Sequence, residues 1–345
     1  ACEDALRRRL RGTTLVTSSY AGCGTYEASA TESWIALRRA LDMETDPGEF
    51  IVYSATEIDE TAQRALLHHK EGTKARHIFG DVLDRVPIDD LVELRALQDS
   101  KIELGRAARN EFKAGSISSE ELAKALSELG KELVEGLTTK LEEVSFLEHV
   151  PCLVCGEDCP VSPRSQVAWE SSFWQETAGT TCCPFSPMGP GTKWLDPSTL
   201  PCLVWAYSTR YYQPDQVLHE CVRSFTEESL NSIFGNMSLD LPKSVFALDA
   251  SELGGGSGES QDPDPEVSNA YDMWSFTFCP TQMGVPTNRS RKYTRFNLMR
   301  TMSGFGENNK DDESLFSDIF FRRPQAHAGI YLEAAACKTA ASAAS

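Results

Sequence analysis

Residues 179–186 read Gly-Thr-Thr-Cys-Cys-Pro-Phe-Ser. A cysteine behind a Gly-Thr-Thr turn, with Phe-Ser three residues on, suits a nucleophile held on a tight loop after a strand. A thiolate in that setting attacks electron-poor ring carbons well. Cys182 is therefore the candidate nucleophile. The run His219-Glu220-Cys221-Val222 supplies a carboxylic acid at the end of a short strand pattern. An acid beside such a thiol can protonate or hydrogen-bond a ring nitrogen and so activate the carbon. Further on, Gly284 to Tyr293 read Gly-Val-Pro-Thr-Asn-Arg-Ser-Arg-Lys-Tyr. Arg289 and Arg291, two apart on a strand, point to one face. There they can hold the acid together with a substrate carbonyl or phosphate.

A second group of residues suits an adenosine-containing ligand. Tyr20-Ala21-Gly22-Cys23-Gly24 places a Gly-x-Gly turn after a strand, where backbone can approach a ligand beside a helix N-terminus. Glu57-Ile58 follows a second strand pattern, and an acid there can accept both ribose hydroxyls. Gly80-Asp81-Val82 follows a third, where a carboxylate can receive an adenine amino group. Each of these is an ordinary turn or solvated acid if taken alone. Together they line the carboxyl edge of one sheet, where such ligands bind.

The elements that must carry these residues are legible in outline. Thr13 to Tyr20 reads as a strand, followed by an amphipathic helix with Trp34, Ile35, Leu37 and Leu41. Phe50 to Ser54 is a second strand, Glu60 to His69 a helix, and His77 to Phe79 a third strand. Alternation of strand and helix predicts a doubly wound α/β sheet. Residues 84–147 break the pattern. Leu122, Leu126, Leu129, Leu133, Leu137, Leu141 and Val144 recur at spacings of three and four, and Ser118 with Glu121 forms a capping box. This predicts a helical insertion of two helices packed as a hairpin. The sheet pattern resumes with a segment at Phe173 to Ala178, a helix from Leu200 to Tyr207 and a strand from Gln216 to His219. Residues 254–268 read as a flexible acidic loop and the Ala/Ser-rich stretch from about Cys337 as a frayed tail.

Bulk properties bound the answer. The chain has 345 residues, 41% hydrophobic and 24% charged, enough for one large α/β domain with a smaller appendage. No run of eighteen apolar residues occurs, so no transmembrane helix and no membrane association are expected. The eleven cysteines are scattered, which argues against a disulfide framework and for the nucleus or cytoplasm. A formal net charge of −18 counts against a nucleic-acid binder unless its basic residues are local. Two such clusters exist: Arg7, Arg8, Arg9 and Arg11 near the start, and Arg289, Arg291, Lys292, Arg295 and Arg300 later. Cys152, Cys155 and Cys159, with His149 nearby, show the Cys-x-x-Cys spacing of a zinc site but lack a second pair. The favoured reading there is thiols in a connector, and no metal ligand is assigned.

The ordered set resembles the cytosine-5 DNA methyltransferase family, over roughly Leu15 to Tyr293. The family's Phe-x-Gly-x-Gly falls on Tyr20 to Gly24. Its Gly-x-Pro-Cys-Gln-x-Phe-Ser falls on Gly179 to Ser186, its Glu-Asn-Val on Glu220 to Val222, and its Gly-x-Pro-Gln-x-Arg-x-Arg on Gly284 to Arg291. The resemblance implies a Rossmann-like catalytic domain dependent on S-adenosylmethionine (SAM). It assigns the cofactor to Tyr20, Gly22, Gly24, Glu57, Ile58, Asp81 and Val82. It also implies a flipped-out cytosine, attack by Cys182 on carbon 6, Glu220 at the ring nitrogen, and Arg289 and Arg291 holding both in place, with no metal.

This sequence departs from the pattern at supporting positions: Thr181 for Pro, Cys183 for Gln, Cys221 for Asn and Thr287 for Gln. Only about fifty residues follow Tyr293, without the family's late motifs, so the chain is expected to be truncated at the C-terminus. The expected layout is a first catalytic segment at 1–83, the insertion at 84–150, a second catalytic segment at 151–296, and a partial target-recognition region with tail at 297–345. The expected state is a monomer acting on DNA, with structured RNA such as tRNA as an alternative substrate. The helical insertion is available to a protein partner. A third reading is a catalytically weakened SAM-binding or scaffold protein, in keeping with the altered supporting residues.

Overall fold

The computed structural model describes residues 7–70, 72–165, 172–225, 228–235, 271–278 and 290–298. Strand β1 (Thr13–Ser19) leads into helix α1 (Thr25–Ala40), then β2 (Glu49–Thr56), α2 (Glu60–Leu67) and β3 (His77–Phe79). The hairpin helices α3 (Ile88–Lys113) and α4 (Ser119–Leu141) follow, then two short strands, β4 (His149–Pro151) and β5 (Asp158–Pro160). The chain re-enters the main sheet with β6 (Ser172–Gly179), α5 (Thr199–Tyr212), β7 (Gln216–Val222), α6 (Glu228–Gly235), β8 (Tyr271–Phe278) and β9 (Arg291–Leu298).

Seven strands form one sheet in the order β3-β2-β1-β6-β7-β9-β8. The first five pair in parallel, and β9 inserts antiparallel between β7 and β8. This is the doubly wound, Rossmann-like sheet that the strand–helix alternation predicts, with one reversed strand, β9, that it does not. Strand β8 has no counterpart in the sequence reading.

Side-chain alternation explains why the sheet is buried on both faces. Leu15 of β1, Ile51 and Tyr53 of β2 and Phe79 of β3 enter a large core with α3, α4 and α5. Their neighbours Val16, Val52 and Ile78 enter a smaller core on the other face, with Leu66 of α2. Successive residues of a strand point to opposite faces, so both parities must be apolar in a parallel sheet covered on both sides.

The capping box at Ser118 is formed. Ser118 Oγ accepts from the Glu121 N–H at 3.2 Å, and the Glu121 carboxylate accepts from the Ser118 N–H at 2.7 Å. The α3–α4 hairpin is no free-standing appendage. Leu91 and Leu94 of α3 and Leu133, Leu137 and Leu141 of α4 sit in the same core as α5 and the sheet. The ion pairs Lys101–Glu132 and Lys140–Glu93 cross between the two helices but are solvent-exposed and add little.

The connector reading of residues 149–160 is corrected. These residues form an antiparallel hairpin, with Val150 opposite Cys159, too short and too proline-rich to register as strands in a periodicity search. It docks on the edge of the sheet, where Cys152 bridges Phe79. The acidic stretch 254–268 and the tail lie outside the described residues. Among the described residues no helix is long and apolar enough to cross a membrane.

Leu137→Ala is expected to lower global stability by about 2–5 kcal/mol, the usual cost of emptying a leucine site in a shared core. Urea denaturation followed on the tryptophans measures this. An unchanged midpoint would mean that the hairpin folds independently of the sheet.

Candidate functional site

The carboxyl ends of β1, β2, β3 and β6 surround a cavity of about 350 Å³. Tyr20, Glu57, Ile58, Asp81 and Val82 line it, joined by Thr56, Gly80, Gly179, Thr181, Ser198 and Pro201. Five of the seven residues singled out for a nucleotide-like ligand thus share one wall system. The sequence reading lacked Ser198 and Pro201, which come from the start of α5 and carry no local signature. Gly179 and Thr181 flank the cysteine loop and connect the cavity to it.

The remaining two cofactor candidates act behind the wall. The Gly22 N–H donates to Glu57 Oε2 at 2.7 Å, and the Asp59 N–H donates to Oε1 at 2.8 Å. These bonds fix the carboxylate while leaving each oxygen a further lone pair for a ligand. Gly24 is not a cavity residue. It precedes α1 at φ 81°, and a Cβ there would stand 2.1 Å from the His69 ring, whose Nε2 lies 2.8 Å from the Cys23 carbonyl oxygen. Its glycine serves that close packing.

Several features suit the cavity to a ligand. Ile58 is 66% exposed at its rim, an apolar side chain left for something to cover. Asp81 Oδ1 accepts from the Leu83 N–H at 3.0 Å. Tyr20, at φ 59°, holds its hydroxyl buried with no partner among the described residues. Burial pushes the Tyr20 phenol well above its ordinary range, so it is a neutral donor. Buried polar atoms are rarely left unpaired, and one in a cavity wall awaits a partner.

The cysteine loop begins where β6 ends. Thr180 is buried, and its Oγ1 lies 2.8 Å from His219 Nε2 on β7. His219 is stacked on Trp205 with ring centroids 5.3 Å apart. Desolvation lowers its pKa to about 3, so it is a neutral anchor for the loop. Cys182, partly buried, opens a single helical turn, and its carbonyl accepts from the N–H groups of Phe185 and Ser186 at 3.1 and 3.0 Å. Phe185 then packs between Trp194 and Phe225, at 5.0 and 4.9 Å. Gly189 closes the loop, since a Cβ there would fall 1.8 Å from the Cys183 carbonyl oxygen.

Glu220 stands opposite Gly179 in the β6–β7 register, with Oε2 over that glycine. Arg291 Nε holds its Oε1 at 2.7 Å, with the two side chains 11% and 33% exposed. Burial raises the Glu220 pKa, against the pull of Arg291. Cys221 is buried, and burial pushes its thiol up to about 12. It is inert packing beneath the site. Arg289 and Thr287 lie outside the described residues.

Several residues of the basic clusters have partners within the chain. Arg7 donates to the Leu41 carbonyl at 2.6 Å, Arg11 pairs with Asp46 at 2.9 Å, and Arg9 lies over the Phe173 ring at 5.0 Å. Lys292 donates to the Phe225 carbonyl at 3.1 Å.

No family model matches the chain, and no curated protein matches it in sequence. Solved structures similar to it include the S. pombe Dnmt2 methyltransferase, at 13% identity and a TM-score of 0.33, covering 83% of this chain and 50% of that one. The Entamoeba histolytica methyltransferase EhMeth is similar at 12% identity and a TM-score of 0.35, covering 83% and 53%. The chain thus spans about half the length of these proteins.

His219 sets a pH dependence. Its folded pKa lies below the free value of 6.5, so the unfolded chain binds the extra proton. Stability is complete above pH 6.5 and is lost as pH falls toward 3, by about 1.4 kcal/mol per unit. Urea titrations at pH 7 and 5 check this. His219→Gln is expected to flatten the slope by that amount relative to the unmodified chain, and an equal slope would mean that the ring is accessible to protons when folded.

Proposed function

We propose that this chain is a SAM-dependent methyltransferase that transfers a methyl group to carbon 5 of cytosine in DNA through a covalent cysteine adduct. One observation carries the reading. A single cavity runs from the carboxylates suited to an adenosine, Glu57 and Asp81, to Gly179 and Thr181, at the foot of the Cys182 loop and under Glu220. Ligand and nucleophile chemistry thus meet at one sheet edge.

The residues present fit the cofactor. Glu57 retains acceptor capacity for ribose hydroxyls, Asp81 for an exocyclic amine, Ile58 and Val82 offer apolar cover for a flat ring, and the Tyr20 hydroxyl awaits a partner. When bound, SAM supplies an electrophilic methyl group. Cys182 Sγ attacks carbon 6 of the flipped base as Glu220 shares a proton with the ring nitrogen. Burial raises the Glu220 pKa and so favours the protonated form, and Arg291 keeps the carboxyl aimed. Carbon 5, made electron-rich, would take the methyl group from the sulfonium sulfur, which would leave as the neutral thioether. Loss of the carbon 5 proton to solvent and departure of Sγ from carbon 6 would then restore the ring double bond and the free cysteine. Arg289 is assigned the substrate side of this arrangement on the motif alone, and the protein is expected to act in the nucleus or cytoplasm.

Covalent trapping tests the reading. The protein is incubated with SAM and either duplex DNA or a folded RNA containing 5-fluorocytosine. A denaturant-resistant adduct on DNA, absent in Cys182→Ser, is expected. An adduct on RNA alone would move the substrate to structured RNA, and SAM binding without adduct on either would make this a cofactor-binding scaffold. Glu220→Gln is expected to slow adduct formation by roughly 10²–10⁴-fold, the usual worth of a positioned acid, while leaving SAM affinity unchanged.

A further inference from the structure

The docked hairpin β4–β5 assembles four metal-ligand side chains that sequence spacing leaves apart. His77, Cys152, Cys155 and Cys159 bring one ligand atom each to within 4.8 Å of one another. His77 Nδ1 lies 3.7 Å from Cys152 Sγ and 3.6 Å from Cys155 Sγ. A tetrahedral zinc ion bound at ~2.3 Å to sulfur and ~2.0–2.1 Å to nitrogen separates those ligand atoms by about 3.6 Å. The two His77 distances match that separation, and all four ligand atoms are close enough to share one ion.

We propose that His77, Cys152, Cys155 and Cys159 bind one structural zinc ion. The fourth ligand is His77, on the edge strand β3, not His149, whose side chain on β4 is exposed to solvent and stands outside the cluster. The turn has the backbone such a site requires. Gly156 follows Cys155 at φ 74°, its N–H donates to the Cys152 carbonyl at 2.9 Å, and the Cys152 N–H donates to the Glu157 carbonyl at 3.0 Å.

Each thiol releases its proton on binding, and no redox change is involved. The ion would join β3 to the hairpin where the Leu153 N–H already donates to the Ile78 carbonyl at 2.7 Å. It would blunt an exposed sheet edge whose next residues, Gly80 to Val82, wall the cavity. The proposal does not depend on the methyltransferase reading.

The test is cobalt titration of the full chain, reduced and stripped of metal. One Co²⁺ per chain is expected, with thiolate-to-cobalt charge transfer and intense tetrahedral visible bands, both abolished by one equivalent of Zn²⁺. Cys155 is exposed and outside the core, so Cys155→Ser should fold. It should lose more affinity than the roughly 10–100-fold that outer-shell partners carry. His77→Ala should behave likewise, and His149→Ala should bind as the unmodified chain does. No spectral change in the reduced chain, or equal binding in Cys155→Ser and His77→Ala, would overturn the proposal.

Discussion

A buried polar chain at the carboxyl edge of the sheet holds the rest in register. Glu176 on β6 is almost fully enclosed, yet accepts from Thr17, from Ser19 Oγ at 2.7 Å and from Trp205 Nε1 at 3.1 Å. Arg85, also enclosed, donates to the same Ser19 hydroxyl and to Thr56 Oγ1, both at 3.0 Å, and to Ser208 Oγ at 3.1 Å. A carboxylate and a guanidinium are thereby joined across the ends of β1, β2, β6 and α5. Buried charges are tolerated only when paired and hydrogen-bonded, so each strand end has one permitted position. Tyr20 follows Ser19, Glu57 follows Thr56, and Asp81 and Val82 begin the turn that ends in Arg85. The cavity walls are the next residues along from this network.

The cysteine loop shows how one positioning device can replace another. A proline before Cys182 would restrict the backbone by its ring. Here Thr181 occupies that position and restores conformational freedom. The constraint moves one residue back and four residues on. Thr180 is tied to the neutral His219, and Phe185 is clamped between Trp194 and Phe225. The exposed Thr181 is then free to line the cavity. Thr181 ahead of Cys182 is therefore not in itself a loss of rigidity, since the tertiary contacts on either side of Cys182 supply it.

What the sequence revealed follows from the range of the interactions involved. Strand–helix alternation, the leucine periodicity of α4 and the capping box at Ser118 are local, and all are present in the structure. The clustering of Glu57, Ile58, Asp81 and Val82 was legible because the ends of parallel strands in a doubly wound sheet necessarily converge. The partners of Thr180 and Cys152 were not. His219 and His77 are separated from them by 39 and 75 residues, and no spacing rule spans such gaps. The N-terminal arginines were ambiguous for the same reason. Whether Arg7 or Arg11 meets a phosphate or a carbonyl depends on what the fold brings beside it.

The antiparallel strand explains why an arginine from far along the chain reaches the acid. In the parallel strands, residues near the carboxyl edge come last. Strand β9 runs the other way, so its first residue, Arg291, arrives at that edge, opposite Val222 and diagonal to Glu220. Diagonal neighbours on one face are within reach of a long side chain. A parallel strand here would have carried Arg291 to the opposite edge and left Glu220 with only its burial, which raises its pKa. The single reversal in strand direction is thus what gives a half-buried carboxyl a fixed cation on one oxygen and leaves the other over Gly179, facing the cysteine loop. Desolvation favours the protonated form of this carboxyl while the Arg291 guanidinium favours the ionised one and fixes its orientation, and the two influences come from different elements of the same sheet.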